Sequence, residues 1–172
     1  MLSEGYSMKH IWSPWRMKFI QNHSNEEEGC IFCNLLLQKD GPENLVVFRG
    51  IKSFVLLNRF PYTIGHAMAI PYEHSDSFEN LDAQTLTELM LLSNGCMKVL
   101  RKLYQPQAFN LGANIGIAAG AGITDHVHMH IVPRWSGDAN FMSTLGDTRV
   151  LPEDISVTYE KFSREWERIF NP

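Results

Sequence analysis

Cysteine is scarce in this chain: 172 residues hold only Cys30, Cys33 and Cys96. An odd, low count excludes a small secreted scaffold stapled by disulfides. Long apolar runs are also missing, and nothing approaches the roughly 18 to 20 residues that cross a bilayer. There is no basic excess either. A formal net charge of -4 argues against a nucleic-acid backbone as the main partner, because such binders present a basic face. It leaves room for a small anion in one positive pocket. Internal repeats and low-complexity tracts are absent. Met1 to His10 lacks the basic-then-apolar order of a signal peptide, so the expected location is the cytoplasm. Neither a membrane partner nor an organic cofactor is expected. What is present is an ordinary globular composition, 44% hydrophobic and 20% charged, long enough for one domain with a real core.

Residues 1–29 read as an N-terminal arm. An aromatic and basic cluster from Ile11 to Ile20, with Trp12, Trp15 and Arg16, is too apolar to be left in water and should pack on the body or on a second subunit. The polar stretch Gln21 to Glu28 reads as a linker. Residues 30–136 form the core domain. Leu45 to Arg49, Ser53 to Leu57 and His66 to Ile70 read as three strands, with turn chemistry between Asn58 and Gly65. A helix is expected over Asp82 to Tyr104, with apolar positions Leu86, Leu89, Met90, Met97, Leu100 and Leu103, Asp82 as N-cap and Pro106 just beyond its end. Cys96 lies inside it as a small buried hydrophobe. Strands near Ala108 to Gly116 and His126 to Val132 follow, joined by the glycine- and alanine-rich loop Gly116 to Gly122. Residues 137–172 form an extension with a last helix. Pro152 suits its first position, and Ile155, Tyr159, Phe162, Trp166 and Ile169 make one apolar stripe that packs on the core. The expected class is α+β: a mainly antiparallel five-stranded sheet with one long helix and a C-terminal helix gathered on one side.

The segment from Asp125 to Arg134 carries the chemistry. His126, His128 and His130 alternate with Val127, Met129 and Ile131. On a strand the side-chain period is two, so the imidazoles share one face and the apolar residues turn to the core. Three groups that titrate near neutrality, placed side by side, are costly as mere packing. Two readings fit. The triad is a metal site with an open position for water, or one imidazole is a nucleophile that its neighbours orient. The loop ahead of it, with Gly116, Gly120 and Gly122, lets backbone approach a ligand closely. Its N–H groups can cradle phosphate oxygens, which favours phosphoryl chemistry. A lone C-x-x-C at Cys30 and Cys33 is compatible with a redox pair or half of a metal site.

His126-Val127-His128-Met129-His130-Ile131-Val132 matches the H-φ-H-φ-H-φ-φ signature of the histidine triad family of nucleotide hydrolases and transferases. Leu57 to Pro61 with Gly65 to Pro71, and Asn114-Ile115-Gly116, are similar to that family's nucleotide-binding segments. Trp15-Arg16-Met17, the Ala-Gly-Ala-Gly loop and Pro133-Arg134-Trp135, followed by residues 137–141, resemble its bacterial diadenosine tetraphosphate phosphorylase-like members. The resemblance implies that His128 attacks the α-phosphate of a nucleotide and forms a covalent nucleotidyl-histidine. It implies that His130 contacts the phosphate and His126 orients the site. It places Asn58 near the ribose and Asn114 near the α-phosphate. It also implies a homodimer or larger homo-oligomer. Where many members carry Gly-Gln ahead of the triad, this chain has Ala121-Gly122, so backbone N–H groups near Gly122 and Ile123 would replace the side-chain contact. Several relatives bind zinc through a C-x-x-C and two histidines that match Cys30, Cys33, His74 and His126, which implies a structural zinc here. The expected substrate is a dinucleoside polyphosphate, with phosphate or water as acceptor. The alternatives are a nucleoside phosphoramidase, a mononucleotide sensor, or a zinc hydrolase with all three histidines on metal. His66 is expected to be a hydrogen-bonded structural residue, His10 and His23 solvated, and Arg134 and Trp135 either at the pocket border or plain strand ends.

Overall fold

The structure is a computed structural model that describes residues 29–138 and 152–170. Of the arm expected over residues 1–29, residues 1–28, with their tryptophans and two histidines, lie outside the described residues, as do residues 139–151 of the C-terminal extension. Five strands, β1 (Val46–Arg49), β2 (Ser53–Leu57), β3 (Ala67–Pro71), β4 (Ala108–Gly112) and β5 (Met129–Arg134), form one sheet in the order β1-β2-β3-β5-β4. Every neighbouring pair is antiparallel, so the α+β class stands.

Side chains alternate across this sheet and make two cores. Val55, Leu57, Ala67, Ala69, Val127 and Ile131 fall in one buried cluster, and Phe54, Leu56, Met68 and Ile70 in the other. The long helix α2 (Ala83–Tyr104) covers the first face, and α3 (Ile155–Phe170) packs on α2 and β1. Asp82 caps α2 as expected, its carboxylate accepting from the Thr85 amide at 2.7 Å. At the other end Gln105 takes a left-handed conformation, φ 47°, just ahead of Pro106, which cannot continue the helix. The buried stripe of α2 runs through Leu89, Leu92, Cys96, Val99 and Leu100. Leu86 and Met90, expected in that stripe, are exposed instead. The C-terminal stripe holds: Phe162 and Trp166 are buried, and Ile155, Tyr159 and Ile169 pack beside them.

The helices do not all gather on one side. A short helix not expected from the sequence, α1 (Ile31–Leu35), sits on the second face, where Phe32 and Cys30 join Val46, Met68 and Ile70. Five residues are too few for a readable apolar period. Several boundaries also shift. The first residue of α3 is Ile155, not Pro152, because Asp154 supplies the cap: its carboxylate accepts from the Ser156 amide at 2.8 Å. Strand β4 stops at Gly112, and the loop after it contains a 3-10 turn over Ile117–Ala119 bracketed by Gly116 and Gly120, both at positive φ. Strand β5 begins at Met129, where pairing with Ala69 begins. Ahead of it, the Val127 amide donates to the Ser75 carbonyl at 2.6 Å, which ties the triad segment to the chain beyond β3.

Candidate active site and metal cluster

Register decides which way the triad faces. Met68 lies opposite His130, while Ala69 and Ala67 lie opposite Met129 and Ile131. Residues directly opposite in an antiparallel pair share a face, so His130 joins Met68 on the α1 side. Phe32 of α1 touches both His126 and His128, which places those rings there too. Val127, Met129 and Ile131 turn to the α2 core, as expected.

Each imidazole is then given one chemical role by what its ring nitrogens meet. Nδ1 of buried His128 donates to the His126 carbonyl at 2.9 Å. A neutral ring that donates through Nδ1 carries its nucleophilic lone pair on Nε2. The chain at His130 runs differently. The Tyr62 amide donates to Nδ1 of His66 at 3.1 Å, so the proton of that ring sits on Nε2. His66 Nε2 then donates to His130 Nδ1 at 2.9 Å. His130 therefore carries its own proton on Nε2 and is a hydrogen-bond donor there. His128 and His130 lie nearly perpendicular with ring centroids 4.7 Å apart. A lone pair and a donor on adjacent rings are what attack on a phosphoryl group requires.

His126 faces elsewhere. Its Nε2 donates to the Pro71 carbonyl at 2.9 Å, which leaves the Nδ1 lone pair 3.3 Å from Cys30 Sγ and 3.8 Å from Cys33 Sγ. Burial holds its pKa below the ordinary histidine value, so the ring is a neutral ligand. His74 Nδ1 lies 3.6 Å from Cys33 Sγ, and its Nε2 lies 3.9 Å from the Asp125 carboxylate. The four donor atoms of Cys30, Cys33, His74 and His126 all lie within 4.8 Å of one another. These separations are close to the edges of a tetrahedron with bonds of about 2.0 to 2.3 Å, and the Pro71 carbonyl, bonded to His126 Nε2, leaves Nδ1 of that ring as the ligating nitrogen. The cluster can hold a metal ion. Among the described residues it is also the one such group, so the three-histidine metal centre finds no support: only His126 of the triad belongs to it.

The remaining expected residues fall around this centre. The Asn58 side chain accepts from the Phe60 amide at 3.0 Å and contacts His66 at 3.3 Å. Asn114 donates to the Gly120 carbonyl at 3.5 Å, inside the glycine loop. Ile123 packs against the α1-side core. Arg134 is held by Asp138 at 2.6 Å and Asn110 at 2.8 Å, a strand-end clasp rather than a pocket wall. Trp135 donates to the Tyr104 carbonyl at 3.3 Å. Two participants were not expected. His66 is buried and hydrogen-bonded, as its sequence position suggested, yet it is bonded into the triad itself. Phe32, hidden between two cysteines that draw attention first, is the ring beside His128. The signal for both was adjacency: His66 precedes a strand that pairs with the triad strand, and Phe32 is the large apolar residue of the C-x-x-C.

Comparison with known proteins agrees with this architecture. The HIT domain family model matches residues 40–137. The AP-4-A phosphorylase of Mycobacterium tuberculosis is 33% identical over 94% of this chain and 86% of its own length. A Schizosaccharomyces pombe asymmetrical bis(5'-nucleosyl)-tetraphosphatase is 31% identical over 54% of this chain and 50% of its own. Among solved structures, a Zn-bound histidine triad family protein from Mycobacterium smegmatis shares the fold, with a TM-score of 0.66 at 21% identity, over 83% of this chain and 96% of that one.

Proposed function

Because the chain belongs to the histidine triad (HIT) family, we propose that it cleaves dinucleoside polyphosphates, diadenosine tetraphosphate above all, through a nucleotidyl group carried on His128. The observation that carries this reading is the hydrogen bond from His128 Nδ1 to the His126 carbonyl. It fixes the tautomer whose Nε2 is nucleophilic, beside a His130 made a donor by His66.

Nε2 attacks the α-phosphorus. An N–P bond forms, the bond to the bridging oxygen breaks, and ATP leaves. The ring becomes cationic, and its Nδ1–H stays on the His126 carbonyl, whose dipole stabilises that charge. His130 donates to a phosphoryl oxygen. Asn114 and the backbone at Gly122 and Ile123 hold the phosphate, and Asn58 the ribose. In the second step an oxygen of inorganic phosphate attacks the same phosphorus, the N–P bond breaks, neutral His128 is restored and ADP leaves. The name of the mycobacterial relative favours phosphate over water as acceptor. The chain works in the cytoplasm, and the exposed edge of β4 pairs with its counterpart in a homodimer.

Two thiolates and two imidazoles suit zinc at the Cys30, Cys33, His74 and His126 cluster. Bound there, zinc supplies a cross-link between α1, the chain after β3 and the triad segment. Four protein ligands leave no position for water, so its work is structural.

The test is product analysis with diadenosine tetraphosphate, with and without inorganic phosphate. ATP together with ADP, the latter only when phosphate is present, is the expected result. AMP in both conditions makes water the acceptor. Gly122, standing where many relatives carry glutamine, favours one second reading: a phosphoramidase or mononucleotide sensor, indicated if no ATP is released.

A further inference from the structure

One hydrogen bond does not align a nucleophile. His128 is anchored at Nδ1, but a ring held at one atom still tilts about that atom, and the displacement is largest on the far side, at Nε2. The ring plane needs walls. One is His130, at 4.7 Å and 75°. The other is Phe32, whose centroid lies 5.1 Å from that of His128 at an angle of 58°. Phe32 also meets His126 edge-on at 5.4 Å and 80°. It is 2% exposed, so it is itself fixed.

We propose that Phe32 is a positioning residue for His128. It is carried on the helix turn whose two cysteines flank it, and it clamps the plane of the nucleophilic ring. The inference rests on the reading of His128 as nucleophile and adds a purpose to the metal cluster. Cys30 precedes α1 and Cys33 lies within it, so gripping both fixes the position of the residue between them. The hydrogen bond sets the tautomer, and the aromatic wall sets the direction of the lone pair. Misplacement of a reacting atom by about 1 Å costs on the order of 100-fold in rate, so a wall of this kind has a large effect on the chemical step.

The experiment uses the full metal-loaded chain and its Phe32→Ala and Phe32→Leu variants. Three quantities are read for each: zinc content by chelator release, the single-turnover rate of nucleotidyl transfer from diadenosine tetraphosphate to the protein, and KM. The expected result is unchanged zinc in both variants. The transfer rate falls about 10- to 100-fold in Phe32→Ala, less in Phe32→Leu, and KM stays within about twofold. A wild-type rate in both variants overturns the proposal. So does a rise in KM at unchanged rate, which marks a substrate contact, or a rate loss that merely follows zinc loss. If Phe32→Ala does not fold, Phe32→Leu decides alone by the same criteria. Absence of nucleotidyl transfer in the wild-type protein would instead remove the His128 reading beneath the proposal.

Discussion

His66 and His130 form a relay in which the donors at His66 Nδ1, the Tyr62 amide and the Asn58 side-chain amide, determine the protonation of two rings. Tyr62 donates to His66, and His66 donates to His130. Replacing His66 with Phe keeps an aromatic ring packed under Tyr62, whose centroid lies 4.6 Å away, and removes the donor. His130 is then free to hold its proton on Nδ1 and face the phosphate with a lone pair. The expected outcome is a kcat reduced by about 10- to 100-fold with KM nearly unchanged, measured by steady-state kinetics. The metal ligands make a separate prediction. On the proposed zinc site, Cys33→Ser and His74→Ala are each expected to lose stoichiometric zinc and to lower the melting temperature, because the cross-link between α1 and the triad segment would be gone. Without metal the buried Cys30 thiol is pushed up to about 11 by desolvation, so it stays protonated at neutral pH. A chelator assay and calorimetry read both effects.

Between elements, the contact of α2 with α3 turns on Gly95. A Cβ there would stand 2.8 Å from Trp166 Cη2. Trp166 cannot yield, since it is buried against Phe48, Phe162 and Phe170. Alanine gains about 1 kcal/mol in helix propensity over glycine, while overpacking costs roughly 1–3 kcal/mol. The clash wins, and Gly95→Ala should lower the urea midpoint of unfolding. The cap of α2 titrates. Asp82 is lowered to about 2, first by Lys52 and then by the Thr85 amide. A depressed folded pKa means stabilisation that is present above the ordinary carboxylate value and lost as pH falls through 2. Asp82→Ala should therefore melt below wild type at pH 7, with the gap closing toward pH 2. These two long helices were legible in the sequence because each runs through several apolar turns, and the sheet was legible because its strands alternate or are apolar throughout. The triad was legible because its period of two is unusual in histidine. Helix α1 was not, since five residues show no period. Nor was the His66–His130 bond: it joins positions 64 residues apart, and only the β3–β5 register brings them together. Leu86 and Met90 fit the helical period of α2 yet face outward, because the buried stripe is set by where the sheet and α3 lie.

For the whole molecule, the sheet ends, among the described residues, on β4, which pairs there with β5 and has four of its five residues exposed. Leu111 and Ile115 stand out of water's reach only if something covers them, at 38% and 44% exposure here. Open strand edges invite pairing, so the proposed homodimer would continue the sheet across β4. Sedimentation should give a dimer mass, shifted toward monomer in a Leu111→Lys, Ile115→Lys double variant. No helix among the described residues is long and apolar enough to cross a membrane. The two cores and the cysteine–histidine cluster all bear on the proposed role of His128, a ring held by tautomer and by plane. The measurement that tests this most directly is intact-protein and peptide mass spectrometry after rapid quenching with diadenosine tetraphosphate in the absence of phosphate. One nucleotidyl group on His128 with ATP released is the expected result, with no label in a folded His128→Ala variant of unchanged metal content. A wild-type protein that turns over substrate without labelling, or a label that persists in His128→Ala, would contradict it.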